Sequence, residues 1–368
     1  MKKILFAINT LNNGGAEKVL LTLLGYLNPQ KYKIHLLVVF GEGIYFDSLP
    51  ECVKVTHIFP CKSKEATKEI REYADKLYKQ YVKESYDVIV AFLEGPSTKI
   101  LSYCQDEKCR KIAWIHTNLK KRHRTAVFYK FFEEEKEAYE RYDQLVFVSD
   151  SIRSAFGKMF GESLVQKAVV CYNPLDVKEI RKKATAYQVP HEKFTICAVG
   201  RVIPEKGFLR LTSICEHLVN DGRSFTLNIV GDGKEYDRLE EMVVSHHLEK
   251  WEHLVGVQEN PYPYMKNADL LVCSSLNEGY NLAISEAIIL GTPVISTECS
   301  GIRENLGNGK WGCIVENRKE TLYQAISRCF DEPDFLKKLK KKAEAGSGQD
   351  TYEGRLRKIE SIIEDAAN

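Results

Sequence analysis

Short runs of β-branched and other apolar residues alternate along the chain with longer amphipathic stretches. This alternation is typical of parallel strands joined by helices. It occurs twice, in an N-terminal series from Ile4 to Tyr172 and in a C-terminal series from Thr195 to Val315. The sequence therefore predicts an α/β protein made of two doubly wound, Rossmann-like domains.

The apolar runs and amphipathic stretches give approximate bounds for these elements. In the first series strands are predicted near residues 4–9, 34–40, 53–59, 87–93, 111–116, 144–149 and 168–172. Helices are predicted near 16–27, 65–84, 97–104, 125–142 and 151–160. In the second series strands are predicted near 195–200, 226–230, 254–257, 270–274, 293–297 and 312–315. Helices are predicted near 209–220, 235–246, 282–290 and 320–330, and a last amphipathic helix near 352–363.

A charged segment at 176–193, with Pro190 and little periodicity, is predicted to be a linker. The predicted domains are therefore 1–175 and 176–349, followed by a C-terminal segment at 350–368. The lysine-rich run at 337–342 is expected to be a solvated helix end. Because sheets of this kind bind ligands beyond the carboxyl ends of their strands, two such domains facing each other would enclose a cleft lined by strand-to-helix loops.

Composition narrows the possible functions. The 368 residues are enough for two domains, and a formal net charge of +2 gives no bulk attraction for nucleic acid. No apolar stretch reaches membrane-spanning length, and the first apolar run meets Asn9 too early for a signal peptide. The eleven cysteines include no C-x-x-C pair and are expected to be reduced in a cytoplasmic protein. Metal-ligand spacings are not recognisable either, so metal-independent chemistry without a cofactor is expected.

Two glutamates, Glu278 and Glu286, stand at the ends of the run EGYNLAISE. On one continuous helix their side chains would be roughly 12 Å apart along the axis, so the pattern predicts a loop that turns into a helix. The unpaired amide donors expected at the start of this helix are those of Tyr280, Asn281 and Leu282. Such donors suit an anion and carboxylates accept hydrogen bonds from hydroxyls, so the element fits a nucleotide-activated sugar. A pair of solvated charges at a helix end is the alternative.

The loop after the first C-terminal strand carries two cations, Arg201 and Lys206, between Gly200 and Gly207. Flanking glycines allow the loop to turn so that both cations converge on one diphosphate. Loop cations are more often ordinary surface residues. At the carboxyl end of a strand, however, a ligand-binding role is favoured.

His116 ends a predicted strand of the first series and is a candidate to reach the reacting sugar or its phosphate. The alternative is a structural histidine in the N-terminal core. Gly14 and Gly15 form a glycine-rich turn at the start of a helix, where backbone amides come close to a ligand. This turn lacks the third glycine of a dinucleotide fingerprint, and a simple tight turn is an equal alternative.

The densest basic run of the N-terminal half consists of Lys120, Lys121, Arg122, His123 and Arg124. Four aromatic residues follow it closely: Phe128, Tyr129, Phe131 and Phe132. Basic residues beside aromatic ones suit an anionic membrane surface. A solvated loop followed by a core-facing aromatic helix explains the same residues, so both interpretations stay open.

Taken together, these motifs resemble the retaining glycosyltransferases of family four, which have the GT-B fold of two Rossmann-like domains. The resemblance rests on the EGYNLAISE run, the G-R-x-x-x-x-K-G loop, the Gly14-Gly15 turn and the Trp-Ile-His sequence that ends at His116. It extends through essentially the whole chain. Within the family, the sequence looks most like bacterial enzymes that extend surface polysaccharides or lipid-linked oligosaccharides.

Carried over by position, the resemblance implies roles for individual residues. The implied donor-binding residues are Arg201, Lys206, Glu278, Gly279, Tyr280, Asn281, Leu282 and Glu286. The implied catalytic residues are His116, Arg201, Lys206 and Glu278. Gly14 and Gly15 would lie on the acceptor or phosphate side, and the C-terminal helix would pack back on the N-terminal domain.

The expected function is transfer of a sugar from a nucleoside diphosphate, with UDP as the expected product, to a glycan or lipid-linked hydroxyl with retained configuration. A nucleotide-sugar epimerase and a catalytically silent partner of an active transferase are the alternatives. The sequence does not specify the sugar, the base, the acceptor, the linkage or the oligomeric state. The expected location is the cytoplasm, with peripheral contact to the inner face of the cell membrane as a further expectation.

Overall fold

The chain folds into two parallel β-sheets covered by helices, as seen in a computed structural model that describes residues 1–121, 123–166, 168–347 and 352–364. Two units form, Met1–Pro174 with Glu353–Asn368 and Leu175–Tyr352. The first unit thus takes its residues from both ends of the chain. Its junction with the second lies close to the boundary that composition places at residue 176.

Among the described residues, the first unit has seven strands and six α-helices before the junction. The strands are β1 (Lys2–Ile8), β2 (Tyr32–Phe40), β3 (Lys54–Phe59), β4 (Val88–Ala91), β5 (Arg110–Ile115), β6 (Gln144–Phe147) and β7 (Val169–Val170). The helices are α1 (Gly15–Tyr26), α2 (Lys64–Tyr81), α3 (Pro96–Leu101), α4 (Phe132–Glu140), α5 (Asp150–Phe160) and α6 (Glu162–Val165).

The described part of the second unit has six strands. They are β8 (Phe194–Val199), β9 (Phe225–Val230), β10 (Glu252–Gly256), β11 (Leu270–Cys273), β12 (Val294–Thr297) and β13 (Cys313–Val315). Its helices are α7 (Val177–Lys183), α8 (Phe208–Asn220), α9 (Tyr236–Ser245), α10 (Tyr262–Lys266), α11 (Leu282–Ile289), α12 (Ile302–Asn305), α13 (Lys319–Asp331) and α14 (Pro333–Gly346). The last helix of the chain is α15 (Tyr352–Glu364).

Both sheets are doubly wound. The strand order is β3-β2-β1-β4-β5-β6-β7 in the first unit and β10-β9-β8-β11-β12-β13 in the second, and neighbouring strands are parallel. In each sheet the chain starts in the middle, winds to one edge and returns to build the other half. This reversal creates a switch point between β1 and β4 and another between β8 and β11, where such folds bind ligands.

The central strands are apolar on both sides because helices cover both faces of the sheet. In β8, Ile196 packs in the core on one face and the next residue, Cys197, packs in a separate core on the other. This explains why the strands appear in the sequence as short continuous apolar runs.

Two predicted segments are corrected by the structure. The helix predicted at 125–142 is confined to α4, and only a short 3-10 turn, Ala126–Phe128, precedes it. Tyr129 and Phe131 have extended backbones, which interrupt any continuous helix. The predicted linker begins with α7, whose first turn is capped by the Asp176 carboxylate accepting from the Glu179 amide at 2.8 Å.

Helix α15 packs on the first unit. Lys2 Nζ donates to the Ile363 carbonyl at 3.0 Å, and Arg355 Nη1 donates to the Asn173 carbonyl at 2.6 Å. Leu356 and Ile359, on the inner side of the helix, are buried. Across the part of the chain described, no helix combines the length and apolar character needed to cross a membrane.

Candidate active site

The predicted donor-site residues meet at the switch point of the second sheet. The loop that carries Gly200 and Lys206 follows β8, and the loop that carries Glu278 follows β11. These strands are neighbours and their connections leave in opposite directions, so a crevice opens between the two loops. The sequence motifs therefore lie where this fold class places ligands.

Glycine is required on both sides of the β8 loop. Gly207 has a φ of +66°, and a Cβ there would lie 2.4 Å from the Ser274 carbonyl oxygen of the neighbouring loop. The Lys206 carbonyl accepts from the Ser274 hydroxyl at 2.9 Å, which joins the two loops directly. Gly200 has a φ of +153°, and a Cβ there would lie 3.3 Å from Lys206 Cε. The glycines thus let Lys206 lie close against the loop and its neighbour.

Lys206 and Glu278 form an ion pair, with Lys206 Nζ 2.7 Å from Glu278 Oε1. The same oxygen accepts from the Ser275 hydroxyl at 2.6 Å and from Asn281 Nδ2 at 2.9 Å. Among the described residues, no group donates to the other oxygen, Oε2. Glu278 is therefore held by three donors on one oxygen, and its second oxygen can accept a further hydrogen bond.

The electrostatics favour a positive site. Burial lowers the pKa of Lys206, but the charge and hydrogen bond of Glu278, together with the effect of Cys273, outweigh burial, so the pKa lies above its ordinary value and the ammonium stays charged. Arg201 is exposed, and its charge acts on Lys206 by lowering the pKa of that residue. Arg201 and Lys206 thus bring two positive charges to the β8 loop, which suits a diphosphate.

Glu286 lies on α11 and is buried, with Tyr262 donating its hydroxyl to Oε1 at 3.1 Å. The loop-to-helix transition predicted between Glu278 and Glu286 is confirmed, because α11 begins at Leu282. Asn281 caps the helix by accepting from the Ile284 amide at 3.2 Å.

The prediction that the Asn281 amide is an unpaired donor is wrong. This amide donates to Asn305 Oδ1 at 2.9 Å, and Asn305 Nδ2 donates in return to the Asn281 carbonyl at 3.1 Å. Asn305 belongs to α12, and its two hydrogen bonds with Asn281 fix the start of α11. Tyr280 and Leu282 are the chain neighbours of Asn281. The Gly279 backbone packs closely against Gly301, because a Cβ on Gly301 would lie only 2.0 Å from the Gly279 carbonyl oxygen.

Gly14 and Gly15 lie where a glycine-rich turn was predicted, at the start of α1. The Gly14 amide donates to the Asn12 carbonyl at 2.8 Å. The Glu17 carboxylate folds back over Gly14, since a Cβ on Gly14 would lie 2.1 Å from Glu17 Oε2. The helix start is thus occupied by the chain's own carboxylate, and an anionic ligand at this turn would have to displace it.

His116 follows β5 directly, at the carboxyl edge of the first sheet, and is only 8 % exposed. Burial lowers the pKa of His116 to about 3, so the imidazole is neutral at physiological pH. Its Nε2 has no hydrogen-bond partner among the described residues. A buried ring nitrogen without a partner is unusual, which makes this atom available to a ligand.

The basic run lies on the surface, and the aromatic residues after it divide into two groups. Lys120, Lys121 and Arg124 are exposed, whereas Arg122 lies outside the described residues. Phe128 and Tyr129 are buried in the core, as the alternative interpretation expected. The exposed apolar side chains of the segment are Val127 (53 %), Phe131 (59 %) and Phe132 (37 %).

Several site residues escaped the sequence analysis. Ser275, Tyr262 and Asn305 hold Glu278, Glu286 and the start of α11, respectively. Ser275 is the second residue after β11, so its position close to a strand end was a usable signal. Tyr262 and Asn305 come from elements distant in sequence and carried no local signal.

Comparison with known families covers nearly the whole chain. Residues 13–179 match the family described as Glycosyltransferase Family 4, and residues 176–346 match the one described as Glycosyl transferases group 1. The two matches meet at the junction between the two units.

Individual proteins are similar over the same extent. A Campylobacter jejuni protein named N-acetylgalactosamine-N,N'-diacetylbacillosaminyl-diphospho-undecaprenol 4-alpha-N-acetylgalactosaminyltransferase is 26 % identical over 360 residues, which are 93 % of this chain and 94 % of that protein. The structure of HepE from Anabaena in complex with UDP and glucose has a TM-score of 0.78 at 19 % identity, covering 99 % of this chain and 100 % of that one. Sucrose-phosphate synthase from Thermosynechococcus elongatus has a TM-score of 0.79 at 16 % identity, covering 98 % of both chains. These structures share the fold of two Rossmann-like domains, the GT-B fold.

Proposed function

Because this chain belongs to the family-four glycosyltransferases, we propose that it transfers a sugar from a nucleoside diphosphate to a hydroxyl of a lipid-linked or polysaccharide acceptor. The proposed donor is a UDP-sugar and the product UDP. We expect the anomeric configuration to be retained, giving an α-linkage, and neither a metal nor a cofactor to take part. Synthesis of capsule, exopolysaccharide or another cell-surface glycan in the cytoplasm is the proposed setting.

The observation that carries this proposal is the Lys206–Glu278 pair at the switch point of the second sheet. A cation suits the phosphate part of the donor, and a carboxylate with one oxygen left over suits its hydroxyl-rich part. The two groups are in contact, so one ligand that carries both features can engage them together. A nucleotide sugar has this combination.

The chemistry requires negative charge on the leaving diphosphate to be stabilised while positive charge develops at the sugar carbon. Fixed cations aimed at the diphosphate lower this barrier, and we assign that role to Arg201 and Lys206. Glu278 and Glu286 are assigned to hydroxyls of the transferred sugar and of the ribose. The neutral imidazole of His116 is assigned to the donor sugar as a hydrogen-bonding group, since its low pKa leaves it uncharged.

Two comparisons support the substrate classes. The Campylobacter relative is named for transfer of N-acetylgalactosamine to a saccharide on diphospho-undecaprenol, a lipid carrier, through an alpha linkage. HepE was solved with UDP and glucose. Both family matches describe glycosyltransferases, which favours transfer over the epimerase alternative.

Incubation with a panel of UDP- and GDP-sugars and a lipid-diphosphate saccharide tests the proposal. We expect release of UDP that depends on the acceptor, and an α-linked product by NMR when the donor is α-linked. A β-linked product would contradict retention. Conversion of the sugar without acceptor would indicate an epimerase, and absence of turnover with donors that bind would indicate a silent partner.

We further propose peripheral contact with an anionic membrane, through a surface that we call the basic–apolar patch and define by Lys120, Lys121, Arg124, Val127 and Phe131. Exposed cations attract anionic headgroups, and exposed apolar side chains enter the headgroup boundary. A lipid-linked acceptor would be presented at such a surface.

Replacing Lys120 and Lys121 by serine is expected to weaken binding to phosphatidylglycerol-containing vesicles about 30-fold, since each lysine near the surface contributes about 1 kcal/mol. Co-sedimentation measures this binding, and Val127→Ser with Phe131→Ser should weaken it as well. The matched controls lie in the second unit, at the exposed lysines Lys340 and Lys341 and at Val244, which is 53 % exposed like Val127. An equal loss in these controls would mean that bulk charge, and not the patch, drives binding.

A further inference from the structure

A buried glutamate, Glu94, joins the carboxyl ends of neighbouring strands in the first sheet. It lies between β4 and α3 and is only 6 % exposed. Its Oε2 accepts from the His116 amide at 2.8 Å, and its Oε1 accepts from the Thr117 hydroxyl. Both oxygens of the carboxyl group are therefore bonded to the two residues that follow β5.

The backbone around Glu94 is fixed independently by Asn9, which follows β1. Asn9 Nδ2 donates to the Glu94 carbonyl at 2.9 Å, and Asn9 Oδ1 accepts from the Ser97 amide at 3.2 Å. Since β1, β4 and β5 are adjacent in the sheet, side chains tie three consecutive strand ends together. The backbone that carries Glu94 is thus fixed independently of the bonds that its carboxyl group makes to the turn at His116.

The His116 ring is held by Phe92, whose backbone bonds to it, and by this turn, whose backbone carries it. The ring packs against Phe92 with centroids 5.2 Å apart, and its Nε2 has no partner among the described residues. Removing the Glu94 carboxyl group would leave the His116 amide buried without an acceptor, which a protein interior tolerates poorly. The turn would then shift to find another partner, and the ring would move with it.

We infer that Glu94 is a positioning residue for sugar transfer, which acts by holding the His116 amide and the Thr117 hydroxyl so that the imidazole is fixed at the sheet edge. The inference rests on the proposed role of His116. Glu94 itself touches neither donor nor acceptor in this scheme.

Glu94→Ala is expected to lower kcat by about 10- to 100-fold, because a misplacement of about 1 Å has effects of that size. The Kd for UDP, measured by calorimetry, should stay within about twofold, since the proposed nucleotide site lies in the second unit. Glu94→Gln should restore most of kcat. Its carbonyl oxygen can accept from the His116 amide while its amide group donates to the Thr117 hydroxyl, which keeps both bonds without the charge. Failure of glutamine to restore activity would overturn a purely positional role.

A double-mutant cycle with His116→Ala separates the inference from its premise. If Glu94 acts through His116, then Glu94→Ala has no further effect on kcat in the His116→Ala background. An equal loss in both backgrounds overturns the inference and leaves the proposed function intact. If His116→Ala alone leaves transfer unchanged, the proposed role of His116 fails instead.

Three further variants exclude simple unfolding. Thr117→Val removes one of the two bonds at an exposed residue and should lower kcat partly, whereas Thr117→Ser keeps the hydroxyl and should match the unmodified protein. Glu252→Ala is the matched control, because Glu252 is an equally buried glutamate in the second unit and away from the site loops. Below its melting temperature this control should retain full kcat. A loss there comparable with that of Glu94→Ala would show that burial alone explains the effect and would overturn the inference.

Discussion

Replacing Lys206 by alanine is expected to lower kcat for sugar transfer by about 100- to 1,000-fold, the range found when a fixed donor to a developing negative charge is removed. The change removes the cation assigned to the leaving diphosphate. It also leaves Glu278, which Lys206 contacts at 2.7 Å, as an uncompensated carboxylate beside that diphosphate. Release of UDP in the presence of acceptor measures the effect.

Two companion variants sharpen this test. Lys342 is a matched control, a half-buried lysine of the same unit whose Nζ donates to the carbonyls of Gly309 and Gly312, and Lys342→Ala should leave kcat unchanged. Combining Lys206→Ala with Glu278→Gln removes the uncompensated charge of Glu278. The kcat of the double variant should still be no higher than that of Lys206→Ala, because the cation is missing in both. Recovery of activity would show that repulsion from Glu278, and not loss of the cation, causes the defect.

The central strands could be predicted closely because they are buried on both faces. The run near 111–116, for example, corresponds to β5 at Arg110–Ile115, and the run near 226–230 corresponds to β9 at Phe225–Val230. A short apolar run between polar turns leaves little freedom in placing a strand. The strand ends, and with them the loops that follow each strand, were predicted from the same pattern.

Segments whose conformation depends on tertiary contacts were predicted less well. The aromatic residues near 128–132 fit a helix by composition, but Phe128 and Tyr129 are drawn into the core in a turn and an extended backbone. The segment after residue 176 was predicted to be a linker for its charge, although Asp176 followed by Glu179 is a helix-start signal that the prediction passed over.

At the candidate site, the sequence indicated which residues to consider but not how they are paired. Lys206 and Glu278 are 72 positions apart, and only the adjacency of β8 and β11 brings them into contact. The partners that hold the site in shape, such as Asn305 at the start of α11, depend on packing between elements. Strand order was not part of the sequence pattern, so these contacts could not be predicted from it.

Glu252 makes the stability of the second unit depend on pH. It is 2 % exposed at the start of β10, and the Thr212 hydroxyl donates to its Oε1 at 2.6 Å. Burial raises the pKa of Glu252 from the ordinary 4.5 to about 7, while hydrogen bonds with Thr212 and Cys215 offset only part of that rise. In the folded protein this carboxyl group therefore holds its proton to a much higher pH than in the unfolded chain.

The sign of the effect follows from proton binding. Between the two pKa values the folded state binds one more proton than the unfolded state, so the free energy of unfolding falls as pH rises. The stabilisation that protonated Glu252 adds to the folded state is fully present below about pH 4.5 and is lost as pH rises through about 7. A pKa shift of this size changes the free energy of unfolding by about 3 kcal/mol.

Glu252→Gln is expected to remove this pH dependence, because glutamine is neutral at every pH and can still accept from Thr212. Relative to the unmodified protein, its free energy of unfolding should rise by about 3 kcal/mol between pH 4.5 and pH 8. Urea unfolding followed by the fluorescence of the adjacent Trp251 measures the difference. Glu249→Gln, at an exposed position three residues earlier, controls for loss of a negative charge and should show no such change with pH. Parallel pH curves for the Glu252→Gln variant and the unmodified protein would mean that the carboxyl group ionises normally in the folded state, for example by admitting water at the start of β10.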